Sequence, residues 1–185
     1  MRSNGRPFSQ WRKLSAVEAV KQAYAAMREA DDPAIFISVR DEDEALADAA
    51  ALDAAGPDGK PLFGLPFAVK DNIDVAGMEP PAACREFAYT AETSAFAVAR
   101  LEEAGAICIG KTNLDQFATG LVGVRSPYGV PRNALDPALV PGGSSSGSAV
   151  AVAKGIAAFA LGTDTAGSGR IPAGMNGIVG LKPSV

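Results

Sequence analysis

The feature that most restricts this chain is a pair of serine- and glycine-rich loops on either side of one short apolar segment. The first is Val140-Pro141-Gly142-Gly143-Ser144-Ser145-Ser146-Gly147-Ser148, and the second is Gly162-Thr163-Asp164-Thr165-Ala166-Gly167-Ser168-Gly169-Arg170. The first leads into Ala149–Ala153, which reads as a helix, and the second follows Ala157–Leu161, which reads as a buried strand. Glycine at that density permits backbone conformations and close approaches that other residues resist. Serines gathered in such loops point to anion binding or to a nucleophile.

Three readings compete. Gly142 to Gly147 and Gly162 to Gly167 both have the glycine spacing of a phosphate-binding loop, but Ser148 and Ser168 stand where its lysine should follow. Gly143-Ser144-Ser145-Ser146-Gly147 matches the G-x-S-x-G nucleophile elbow, which needs a histidine base. The chain has no histidine, so no Ser-His-Asp triad can be assembled from it. A serine nucleophile driven by a lysine survives. Its lysine is Lys70, in Gly64-Leu65-Pro66-Phe67-Ala68-Val69-Lys70-Asp71-Asn72-Ile73-Asp74, at the end of the apolar run Leu65–Val69 that reads as a buried strand. Taken alone, a lysine at a strand end more often points to water, and that reading stays open at this point.

The segments GLPFAVKDNID, PGGSSSGSA and GTDTAGSGRIPA, in that order, resemble the amidase signature family over about Pro61 to Val185. The resemblance implies amide hydrolysis by a Ser–cis-Ser–Lys triad. Lys70 is then the base, Ser144 the bridging serine behind a cis bond, and Ser168 the nucleophile. They lie 74 and 24 positions apart, as in the family. Backbone N–H groups of Thr165, Ala166, Gly167 and Ser168 would form the oxyanion hole, while Asp164 and Arg170 brace the loop or serve the site. No metal and no cofactor are implied. Within the family, the stretch from Lys111 to Gly129, KTNLDQFATGLVGVRSPYG, is similar to allophanate hydrolases, with Val124 and the Pro80-Pro81 pair as departures. Such enzymes release ammonia from allophanate, and the remaining dicarboxylate loses carbon dioxide. The partners implied are a small-molecule amide substrate, a second copy of the full-length chain and a functional link to urea carboxylase. The alternatives are the glutaminase subunit of a tRNA-dependent amidotransferase, which Gln116 and the RSPYG stretch fit poorly, and an inactive fragment that only packs or binds.

Composition sets broader limits. Hydrophobic residues make up 48% and charged residues 21% of 185 positions, enough for a sizeable core. A net charge of −4 argues against a nucleic-acid surface. Cys84 and Cys108 make neither a disulfide scaffold nor a zinc site and read as inert thiols of a cytoplasmic protein. Met1–Lys13 lacks an apolar leader, and no apolar run approaches membrane-spanning length, so no membrane association is expected.

The pattern along the chain predicts an α/β fold with an open mixed, largely parallel sheet flanked by helices. Ser15-Ala16-Val17-Glu18 is a capping box opening a helix to about Arg28. Ala34–Val39 reads as a strand and Asp41–Ala55 as a second helix. Gly56–Gly59 reads as a turn and Asn72–Pro81 as a loop, followed by a helix over Ser94–Ala104 and a strand over Ala106–Gly110. Lys111–Phe117 is expected to start another helix, Ala118–Pro131 to be loop, and Ile178–Leu181 to be a strand needing a partner. Residues 1–60 are expected to form a helical segment on the core, and residues 61–185 the N-terminal part of a catalytic domain that is incomplete at its C-terminus.

Overall fold

A computed structural model describes residues 7–79 and 82–184. Met1–Arg6 of the N-terminal stretch, the Pro80-Pro81 pair and Val185 lie outside the described residues. In chain order the helices are α1 (Phe8–Trp11), α2 (Ala16–Ala30), α3 (Glu42–Ala55), α4 (Phe96–Glu103), α5 (Ser146–Ala153) and α6 (Arg170–Met175). The strands are β1 (Phe36–Val39), β2 (Pro66–Lys70), β3 (Ile107–Thr112) and β4 (Phe159–Leu161). They form one sheet in the order β1-β3-β2-β4. β2 runs parallel to both β3 and β4, and β1 is antiparallel to β3.

Local chemistry accounts for the main elements. Ser15 accepts from the Glu18 N–H while the Glu18 carboxylate accepts from the Ser15 N–H, so both sides of the expected capping box form. The Asp53 carboxylate, reaching over from α3, accepts the next two free donors, Ala16 N–H at 2.8 Å and Val17 N–H at 3.1 Å. It thereby satisfies helix-end groups and places negative charge at the positive end of α2. α3 turns Ala45 and Ala49 inward, side chains small enough for the two helices to pack closely. Every residue of β2 and β3 is buried, as expected for inner strands covered on both faces. Trp11, Val20, Tyr24, Ile35, Leu65, Ile109 and Ile156 belong to one core cluster. Phe67, Val69, Val98 and Cys108 belong to a second, and Phe67 stacks on Phe159 of the neighbouring strand. Burial raises the Cys108 thiol pKa to about 11, which keeps it inert. Among the described residues no helix is long and apolar enough to cross a membrane.

Two expectations need correction. Lys111 and Thr112 do not start a helix: they complete β3, paired with Val69 and Lys70 of β2. The chain then makes only a 3-10 turn at Gln116–Ala118, because Phe117 and Ala118 sit at positive φ (52° and 57°), where a right-handed helix cannot continue. Ile178–Leu181 is not a strand among the described residues. It leaves α6 through Gly177 at φ 68°, the Ile178 N–H bonds back to Ala173, and Val179 and Leu181 stay exposed. The turns α1 and α6 carried no periodic signal, being four and six residues long.

One close approach fixes how the first loop meets the sheet. Gly147 donates to the Asn113 carbonyl, Asn113 in turn donates to the Ile35 carbonyl, and a Cβ at Gly147 would overlap the Ile35 oxygen. Gly147→Ala is therefore expected to lower unfolding free energy by about 1–3 kcal/mol or more, since the atoms in the way are backbone. Gly174→Ala in α6, where nothing lies within 4 Å of the added carbon, should be neutral or slightly stabilising. Urea unfolding of both variants checks the pair, and equal losses would contradict the packing account.

Candidate active site

β2 lies between β3 and β4 and ends at Lys70, so the lysine emerges at the carboxyl end of a parallel strand, where open α/β sheets place their ligands. Lys70 is fully buried. A buried ammonium needs acceptors, and two hydroxyls supply them: Nζ donates to Ser144 Oγ at 2.7 Å and to Thr163 Oγ1 at 2.6 Å. Asn72 Nδ2 also donates to Thr163 Oγ1, at 3.4 Å. Burial pushes the lysine pKa down from 10.5 to about 8, and the Asp115 and Asp164 carboxylates hold it from falling further.

Ser144 follows a cis peptide bond from Gly143, and Gly142 sits at φ 75°. Glycine is required at both positions for space as well. A Cβ at Gly142 would come within 2.9 Å of Pro172 Cα, and one at Gly143 would overlap Asp115 Oδ2. α5 begins at Ser146, so its positive end faces the turn that carries Ser144.

Backbone contacts bring the second loop to the first. The Ser145 N–H donates to the Ser168 carbonyl at 3.0 Å, and Ser145 Oγ donates to the Thr163 carbonyl at 3.3 Å. Ser148 Oγ reaches the Leu161 carbonyl at 2.9 Å, closing the same seam one helical turn on. Ser168 is nearly buried, and among the described residues its hydroxyl makes no hydrogen bond. Lys70 and Ser144 are thus joined directly, while Ser168 stands beside them through its backbone alone.

Asp164 organises the loop around Ser168. Its Oδ1 accepts from the Gly167 N–H at 2.7 Å and its Oδ2 from the N–H groups of Gly169 and Arg170. The Arg170 guanidinium adds two further bonds, at 2.9 and 3.0 Å, and holds the carboxyl well below the usual carboxylate range. Asp164 and Arg170 therefore brace the loop. Of the four N–H groups expected in an oxyanion hole, that of Gly167 is already given to Asp164. Those of Thr165, Ala166 and Ser168 have no acceptor among the described residues.

Two residues at the site escaped the sequence reading. Thr163 lies within the quoted second loop, five positions before Ser168, but nothing local marks it as the second acceptor for Lys70. Asp115 lies in a segment expected to be helical. Its carboxylate instead accepts the Gly123 and Arg125 N–H groups from the following loop.

A family model described as Amidase matches residues 17–185. Urea amidolyase of Saccharomyces cerevisiae is 60% identical over 124 residues, 67% of this chain and 7% of that protein. A glutamyl-tRNA(Gln) amidotransferase subunit of Symbiobacterium thermophilum is 49% identical over 179 residues, 93% of this chain and 36% of that protein. Among solved structures, Kluyveromyces lactis allophanate hydrolase superposes with a TM-score of 0.79 at 41% identity, covering 91% of this chain and 29% of that one. The chain thus spans well under half the length of these relatives. With a family match reaching from α2 through both serine-glycine loops, the chain belongs to the amidase signature family.

Proposed function

We propose that this chain carries the Ser–cis-Ser–Lys machinery of an amide hydrolase acting on allophanate, with Lys70 as base, Ser144 as bridge and Ser168 as nucleophile. The observation that carries the reading is the 2.7 Å bond from a fully buried lysine to a serine that follows a cis peptide. A serine hydroxyl is a weak nucleophile and needs a base, and lysine serves only when neutral. With its pKa lowered to about 8, roughly a tenth of Lys70 is neutral at pH 7. Neutral Lys70 takes the Ser144 proton while Ser144 takes that of Ser168, because a hydroxyl both donates and accepts. Ser168 Oγ attacks the amide carbonyl, and the oxyanion falls to the free N–H groups of Thr165, Ala166 and Ser168. The proton returns through Ser144 to the leaving nitrogen. Ammonia departs, and water repeats the sequence on the acyl-serine.

Support for allophanate comes from the 60% identity to urea amidolyase and the likeness to allophanate hydrolase. The same reading extends to a homodimer, to a functional link with urea carboxylase and to a cytoplasmic setting. A second reading, the glutaminase subunit of a tRNA-dependent amidotransferase, is favoured by the 49% identity over 93% of the chain. Ammonia release from allophanate and from glutamine, measured side by side on the purified enzyme, separates the two. Turnover of glutamine alone would overturn the allophanate assignment.

Two further outcomes are expected. A fluorophosphonate or sulfonyl fluoride adduct should map to Ser168, and an adduct on Ser144 or Ser145 would reverse the roles of nucleophile and bridge. Lys70→Ala should lower kcat/KM by roughly 10²–10⁴-fold at neutral pH. Lys70→Arg should not restore it, because guanidinium stays protonated. The acidic limb of the kcat/KM profile should fall near pH 8, with activity lost as the pH drops and the lysine gains its proton. Near-normal activity in the Arg variant would end the neutral-lysine mechanism.

A further inference from the structure

Asp115 is a fully buried carboxylate, and among the described residues no cation lies within ion-pair distance of it. It is nonetheless fully engaged. Its Oδ2 accepts from the Gly123 N–H at 2.9 Å and its Oδ1 from the Arg125 N–H at 2.8 Å. Its own N–H donates to the Ser144 carbonyl at 3.1 Å. The loop it gathers is tied to the same turn a second time, where Gly143 N–H donates to the Leu121 carbonyl at 2.8 Å. Gly120 and Gly143 are both bare where a side chain would press on this carboxylate. One acid thus sits where the 120–125 loop, the Gly143–Ser144 peptide and the end of β3 meet.

We propose that Asp115 is a positioning residue for the catalytic turn, holding the 120–125 loop against Gly143–Ser144 and supplying negative charge to the surroundings of the Lys70 ammonium. The proposal rests on Lys70 being the base. The carboxylates that act on that ammonium come from two places: Asp115 follows β3, and Asp164 lies in the second loop and is paired with Arg170. Asp164 has a cationic partner, whereas Asp115 has only N–H donors, so its charge is the less compensated of the two. Consistent with this, Asp115 is the larger of the two influences that hold the lysine pKa up against burial.

The test is the pH profile of kcat/KM for Asp115→Asn and Asp115→Glu in the purified enzyme, beside the wild type and Lys70→Arg. Asn keeps one acceptor oxygen but removes the charge, so the acidic limb should move to lower pH by about half a unit or more, with a lower plateau. Glu keeps the charge and shifts the oxygens outward. Its limb should stay in place while kcat falls about tenfold or more, a loss in the range a small misplacement produces. A role confined to folding predicts lower activity with an unmoved limb in Asn, and that result overturns the proposal. If the Asn variant does not fold, near-wild-type kcat in the Glu variant overturns it instead. An active Lys70→Arg variant would remove the underlying base assignment, an outcome distinct from a lysine limb that fails to respond to Asp115.

Discussion

The burial of the Lys70 ammonium is the constraint on which the rest of this structure depends. Removing an ammonium from water is costly unless it is hydrogen-bonded or gives up its proton. Both responses are arranged in this site. Two hydroxyls, from Ser144 and Thr163, accept from Nζ, and burial lowers the pKa to about 8. Those hydroxyls come from positions 74 and 93 residues further along the chain. The lysine can be satisfied only after β2 is enclosed by β3 and β4 and the two serine-glycine loops have closed over its end. Folding of the sheet and assembly of the site are therefore one event.

A neighbouring lysine shows how much the partner matters. Lys111 is equally buried, and its position on β3 pairs with Val69, one residue before Lys70. Its Nζ donates to the Ile73 carbonyl at 2.7 Å and lies 3.8 Å from Asp71 Oδ1. Burial lowers its pKa too, but the Asp71 carboxylate opposes that loss of charge. Asp71, itself desolvated, is pushed up to about 6. Lys111 faces a carboxylate, which favours its charged form, and a carbonyl, which only accepts. Lys70 faces hydroxyls, which can both give and receive one. The same residue type in the same sheet thus serves as a strut in one place and is suited to act as a base in the other.

Much of this was legible in the chain because the determining signals are local. The capping box at Ser15–Glu18, the apolar run before Lys70 and the glycine density around Ser144 are each short-range, and each appears where expected. The failures share a cause. Lys111–Phe117 has helix-compatible residues, but Lys111 and Thr112 are claimed by pairing with β2, a contact some 40 residues distant in sequence. Asp115 and Thr163 gain their roles from partners on other elements, so no spacing rule marks them. Gly167 was expected to lend its N–H to the oxyanion hole, but that N–H is committed to Asp164, which depends on the fold of the loop.

The seam between the two loops has a consequence for how such a sequence can drift. Of the bonds that hold the first loop, Ser145 N–H to the Ser168 carbonyl across the seam, Gly147 N–H to the Asn113 carbonyl and Gly143 N–H to the Leu121 carbonyl are main-chain bonds, while Ser145 Oγ and Ser148 Oγ add two side-chain bonds across the seam. Main-chain joints are indifferent to the side chain attached beside them. The hydroxyl of Ser168 takes part in none of them, so a lineage could lose it and still inherit the scaffold intact. In this architecture heredity is written largely in the backbone, while chemistry hangs on a few side-chain tips. Descendants that have retired from catalysis would then look, by their fold and by most of their sequence, like those still at work.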